Sequence, residues 1–112
     1  MVTPEMLLFL AGKMGLPNPV AEQGECCYVE APRVWRKFNP ATDDAQFGRL
    51  VVWAAMQRLE PMLAKRHAFA GLVGTSSDYT EGHDGTPDSI RAAAVVAIVM
   101  ALGFDAAMEA AK

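Results

Sequence analysis

The chain has 112 residues, a length that suits one domain with a core of its own, unsupported by metal or disulfide staples. At 52% hydrophobic and 21% charged, it falls outside the disordered class. A net charge of −3 disfavours a general binder of phosphate backbones, although the cations are unevenly spread.

Taken in chain order, Thr3-Pro4-Glu5 opens a first helix, with Thr as N-cap, Pro at the first position and an acid in the first turn. Met6, Leu7, Leu10, Ala11 and Met14 recur at helical spacing, and Gly15 closes the helix as a left-handed cap. Residues 6–11 are apolar but short, with no basic region before them and no cleavage-type small residues after, so they do not read as a leader. Leu16-Pro17-Asn18-Pro19 is a rigid connector, and residues 21–25 read as a polar loop.

Cys26-Cys27-Tyr28-Val29-Glu30 reads as a strand. Adjacent strand residues face opposite ways, so a Cys26–Cys27 disulfide is strained; two reduced thiols are expected, one inward and one outward. Pro32 breaks the strand, and Arg33-Val34-Trp35-Arg36-Lys37-Phe38 follows, either as its hairpin partner around Ala31-Pro32, the preferred reading, or as the continuation of a single bent edge strand. Pro40 ends that run. Thr42 is then expected to cap a second helix whose first turn holds Asp43 and Asp44. Phe47, Leu50, Val51 and Ala54 mark one face of this helix, widened by Trp53 and Met56, which predicts contact from two sides. Pro61 interrupts it, predicting a kink or restart over residues 58–60; the alternative is that Pro61 is the first-turn residue of a new short helix over 61–66.

Residues 68–74 and 78–82 read as a second, weaker pair of strands around the turn Thr75-Ser76-Ser77. Thr86-Pro87-Asp88-Ser89 repeats the first helix start and leads an Ala- and Val-rich helix ended by Gly103. Its uncharged run, residues 92–102, is well short of the roughly 20 residues a bilayer span needs. A buried helix, no membrane partner and a cytoplasmic address are therefore expected. Residues 104–112 form a last amphipathic turn or two. The whole predicts a single α+β domain over residues 1–112: an α-β-α sandwich of about four strands, antiparallel or mixed, packed with three helices.

The helix entry Phe38-Asn39-Pro40-Ala41-Thr42-Asp43-Asp44-Ala45 and the last helix start Gly85-Thr86-Pro87-Asp88-Ser89-Ile90-Arg91-Ala92-Ala93 give the chain a resemblance to the phage ABA-sandwich family, small proteins of phage and prophage genomes. It covers residues 26–102. The resemblance implies α-β-α layers and a phage or prophage setting, and it carries no activity and no functional residues. Residues 68–82 are shorter and richer in glycine than the family's middle hairpin.

Three clusters hold the candidate chemistry. Asp78, Glu81, His83, Asp84 and Asp88 gather four carboxylates and an imidazole, but their spacing matches no EF-hand loop, and Asp88 is already a first-turn acid. This loop is read as a solvated acidic surface open to a basic partner. Arg33, Arg36 and Lys37, with Trp35 and Tyr28, form a basic and aromatic strand. It suits base stacking and phosphate contacts, or else a sheet edge guarded by charge with Trp35 packed on the core. Lys65-Arg66-His67 suits a helix C-terminus. Neither histidine has a nucleophile, phosphate loop or second imidazole beside it in sequence, and Ser76-Ser77 lack a strand-turn-helix setting, so no catalytic residue, cofactor or metal is assigned. Trp53, Met56 and the Met-rich composition make an adaptable apolar face, a route to a homodimer or a partner.

The expectation is a non-catalytic phage accessory protein that occupies the surface of a host or phage protein, in its most concrete form an inhibitor of a host defence complex of the anti-CRISPR type. Contact is expected through Asp78, Glu81 and Asp84 and through Arg33, Trp35, Arg36 and Lys37. The alternative is a nucleic-acid-binding accessory protein that uses the basic strand.

Overall fold

The computed structural model describes residues 2–59, 61–63, 66–71 and 78–111. Among them lie four helices and six strands: α1 (Pro4–Lys13), β1 (Val20–Glu22), β2 (Glu25–Ala31), β3 (Val34–Lys37), α2 (Asp44–Met56), β4 (Met62–Leu63), β5 (His67–Gly71), β6 (Asp78–Gly82), α3 (Pro87–Ala101) and α4 (Phe104–Ala110). The fold is α+β. Its strands are divided between two antiparallel sheets of three, in the orders β1-β2-β3 and β4-β5-β6.

Local chemistry sets most helix ends. Thr3 Oγ1 accepts from Met6 N–H at 3.2 Å and Thr86 Oγ1 from Ser89 N–H at 3.3 Å, so both Thr-Pro starts cap as expected. After α1, Gly15 takes φ 77°, and the Leu16 N–H reaches the Ala11 carbonyl at 3.0 Å, which completes a Schellman closure. Gly103 turns α3 into α4 with φ 91°.

Four sequence expectations are corrected. Asp43, not Thr42, caps α2: its Oδ1 accepts from Gln46 N–H at 2.9 Å. The helix ends at Met56 without help from Pro61. Arg58 adopts φ 63°, Arg58 N–H bonds Ala55 C=O at 3.2 Å, and Leu59 N–H bonds Ala54 C=O at 3.0 Å. This is a Schellman closure with arginine where glycine is usual, and Leu59 is buried behind it. Where a short helix over residues 61–66 is one of the two expectations, Met62 and Leu63 are instead a strand, Met62 pairing with Phe69 and Leu63 with Ala68, and residues 64 and 65 lie outside the described residues. The loop expected over residues 21–25 is also a hairpin, closed by Gln23 and Gly24, both at positive φ (51° and 78°), as a two-residue primed turn requires. The turn at residues 75–77 and Lys65 lie outside the described residues.

Arginine in the left-handed region carries a steric penalty that glycine lacks. Arg58→Gly is therefore expected to stabilise the fold by about 1 kcal/mol, read as a higher denaturant midpoint with an unchanged slope.

The helices pack between the elements of the two sheets. α1 covers β1 and β2, α3 covers β4, β5 and β6, and α1 and α3 meet each other. The main core joins Leu7 and Leu10 of α1, Cys26 and Tyr28 of β2, Leu50 and Ala54 of α2, and Val95, Ile98 and Val99 of α3. Residues 93–99 of α3 are all buried, which fits the uncharged run. Small residues on both sides, Ala68 and Ala70 on β5 and Ala93, Ala94 and Ala97 on α3, let this sheet and helix come close. α2 is packed through Phe47, Leu50, Trp53 and Ala54 but leaves Val52 and Met56 open, so it is not covered on two full sides as expected. No single helix among the described residues is long and apolar enough to cross a membrane; α3 and α4 reach that length only together, and they bend by 56° at Gly103.

Candidate partner-binding surface

The β2–β3 hairpin carries the basic and aromatic cluster. Cys27 pairs with Lys37, Tyr28 with Arg36 and Val29 with Trp35; the register then shifts so that Ala31 meets Val34 and Glu30 is bulged. Pro32 and Arg33 make the turn, with Arg33 at φ 63°. Directly opposed residues share a sheet face. Cys26 and Tyr28 point inward, Cys26 fully buried and Tyr28 edge-on to Phe38 at 6.5 Å. The outward face is then Val20, Glu22, Glu25, Cys27, Val29, Trp35 and Lys37. Val20, Glu22, Cys27 and Trp35 line a depression of about 310 Å³ on it.

All four side chains of β3 are exposed, and Trp35 stands 56% open to solvent. The packing of Trp35 on the core, one of the two readings of this strand, is thus corrected. The reason is parity: Trp35 shares the outward face with Val29, while Tyr28 takes the inward position. Arg36 Nε donates to Glu30 at 2.5 Å, and Lys37 Nζ lies 3.2 Å from Glu25. The Glu30 bond and charge raise the Arg36 pKa further. Two of the three cations are therefore compensated within the hairpin. Arg33 is exposed at the turn.

Behind the hairpin, a polar cleft of about 420 Å³ is lined by Glu30, Arg36, Lys37, Asp43, Gln46 and Arg49. Its floor is the β3–α2 connection. Gln46 is only 8% exposed. Its Oε1 accepts from Asn39 N–H and its Nε2 donates to Lys37 C=O, both at 2.7 Å. Asn39 Oδ1 accepts from Ala41 N–H at 3.1 Å. Arg91 of α3 ties the same region from the other side, donating to Asp44 at 2.5 Å, to Ala41 C=O at 3.2 Å and to Asp88. The roles of Gln46, Arg49 and Arg91 were not read from sequence. For Gln46 a signal existed: Gln three residues after Asp43 is the spacing of a capping pair.

The acidic loop is taken up by its own helix start. Asp84 Oδ1 accepts from Thr86 N–H at 2.9 Å and from the Thr86 hydroxyl at 2.7 Å, and these bonds hold its carboxyl below the usual value. Asp84 N–H donates to Ser89 Oγ at 3.0 Å, Gly85 N–H to His83 Nδ1 at 3.1 Å, and Asp88 binds Arg91. Asp78 begins β6, and Glu81, opposite Ala68, borders a hollow of about 200 Å³ against α3. No group of three or more metal-ligating side chains is assembled among the described residues. The acidic and basic clusters lie on different sheets, Asp78 and Glu81 on one and Trp35, Arg36 and Lys37 on the other.

The two cysteines divide as their alternation predicts. Burial, helped by the neighbouring Cys27, pushes the Cys26 thiol up to about 11, and Cys27 lines the outward depression. Since the thiolate is the nucleophile, iodoacetamide at neutral pH is expected to modify Cys27 and spare Cys26 in the native protein, and to modify both in denaturant, as read by peptide mass mapping.

No family model matches the chain, and no curated protein or solved structure is significantly similar to it.

Proposed function

We propose that this chain is a non-catalytic binding protein that occupies the surface of a partner protein through the outward face and edge of the β2–β3 hairpin. One observation carries the reading: Trp35 stands exposed at the rim of an apolar depression, on a strand with no core-facing hydrophobe. A solvent-facing Trp beside Val20, Cys27 and Val29 is the composition of an interface centre, and Arg and Lys at the margin make the rim. The phage setting, and the specific form of an inhibitor of a host defence complex, draw on the resemblance at residues 38–45 and 85–93.

Affinity capture from a bacterial host, run in parallel with wild type and Trp35→Ala, tests it. Expected is a stoichiometric protein retained by wild type and lost with Trp35→Ala, at equal thermal stability of the two baits. Retention of the same proteins by both baits, or of none by wild type, overturns it.

The nucleic-acid alternative has less behind it. Three cations on the hairpin are too few for strong binding of a phosphate backbone, whose strength grows with the number of phosphates neutralised, and the chain as a whole carries −3.

A further inference from the structure

We infer that β3 is a docking edge for one extended, acidic strand of the partner, added antiparallel to the sheet; this rests on the partner-binding reading above. β3 is the outer strand of its sheet, with no strand beside it among the described residues. Phe38 N–H donates to Cys26 C=O at 2.8 Å, which makes that pair a hydrogen-bonded one. Antiparallel pairs alternate, so Tyr28 with Arg36 is the next bonded pair, while the backbone groups of Trp35 and Lys37 point away from β2. The Gln46 bond to Lys37 C=O agrees, since it reaches that carbonyl from the α2 side. Among the described residues, no partner meets three backbone groups on this edge: Lys37 N–H and both polar groups of Trp35. Such a row is a template for strand addition.

Side-chain chemistry selects the occupant. Read in the antiparallel direction, an incoming strand meets Lys37, Arg36, Trp35 and Val34 in turn. An acid, a second acid, an aromatic and a β-branched residue answer them, since opposite charges and aromatic pairs stabilise directly opposed positions. The ion pairs of Arg36 and Lys37 are solvent-exposed, so sharing those cations with a new carboxylate costs little.

A second copy of this chain fits worse. A two-fold axis that continues the sheet keeps every side chain on its own face, so only residues of equal parity meet. Centring it on Arg36 sets two guanidiniums against each other. Centring it on Trp35 sets Lys37 against Arg33 of the second copy. Like charges directly opposed destabilise a sheet, and each chain already carries −3.

The probe is a synthetic peptide with Glu-Glu-Tyr-Val at its centre, titrated into the intact chain with amide exchange followed residue by residue. Expected is exchange slowed about tenfold or more at Trp35 and Lys37, with the Arg36 amide, already bonded to β2, unchanged. N-methylation of the peptide Tyr, whose N–H faces Trp35 C=O, should abolish binding. Methylation of the second Glu, whose N–H faces away, should be tolerated, and exchanging both Glu for Lys should remove binding. Equal sensitivity to the two methylations overturns strand addition. So does protection of Trp35 and Lys37 that rises with protein concentration alone, the mark of a second copy. If the peptide fails while a captured partner still depends on Trp35, the strand inference falls and the binding reading stands; if no such partner is captured either, both fall.

Discussion

Gln46→Leu is expected to destabilise the fold by about 2–3 kcal/mol, a drop of roughly 10 °C in Tm for a chain of this size. The side chain is nearly isosteric, so little volume is lost. What is lost are two hydrogen bonds of 2.7 Å to backbone groups that no other side chain is seen to serve, Asn39 N–H and Lys37 C=O. Leaving such groups unmet costs more than a hydrogen bond nets when made. Gln46→Glu separates the two: ionised at pH 7, it keeps the acceptor for Asn39 and loses the donor to Lys37 C=O, whereas a protonated carboxyl can donate its O–H there, so its cost is expected to shrink toward pH 4 while that of Gln46→Leu does not. Urea denaturation reads both, and a loss under about 0.5 kcal/mol for Gln46→Leu would show that water replaces the amide at no cost. The variant also bears on the surface, because Gln46 closes the inner end of the open β3 edge.

The helix starts were legible where the chemistry was local. Thr86-Pro87-Asp88 carries cap, fixed φ and first-turn acid within three residues, and α3 begins there. At α2 two capping residues are adjacent, and the choice of Asp43 over Thr42 goes with the fold of the connection, in which Asn39 Oδ1 accepts from Ala41 N–H and the Gln46 side chain reaches back from α2 to Asn39 N–H and Lys37 C=O. The end of α2 left no sequence mark, because Arg58 occupies a position that glycine usually announces. β1 was hidden for a similar reason: it is three residues long, and only Gly24 of its turn signals a hairpin. β4 was hidden by Pro61, which reads equally as a helix start or as a strand entry.

The surface was half legible. Charge and aromatic content at Arg33, Trp35, Arg36 and Lys37 stood out in sequence, but exposure depends on pairing parity, which a bulge at Glu30 and an imperfect alternation conceal. The same pairing brings Val20 and Cys27 beside Trp35, a neighbourhood that sequence spacing did not show. In the acidic loop, composition overstated function: Asp84 and Asp88 are occupied by Thr86 and Arg91, so the acids that looked like a binding surface in part build the start of α3.

The core gives the largest effect. Ile98→Ala is expected to cost about 3–4 kcal/mol, the sum of lost transfer energy and the cavity left behind, since Ile98 is fully buried in the C-terminal half of α3, within the main core. Ala94→Leu, which adds volume where α3 lies against Ala68, should cost about 1–3 kcal/mol by forcing the helix and β5 apart. Met56→Ala removes as large a side chain from α2 and should change stability by less than about 0.5 kcal/mol, because Met56 is 74% exposed. All three are read by thermal and urea unfolding. A cost for Met56→Ala near that of Ile98→Ala would mean that α2 is covered in solution, which is the behaviour of a self-associating helix face. A small cost leaves the β2–β3 hairpin as the better-supported binding surface, and since Ile98 packs on the α3 side, Ile98→Ala should weaken the fold while a chain kept folded below its new Tm still binds through Trp35.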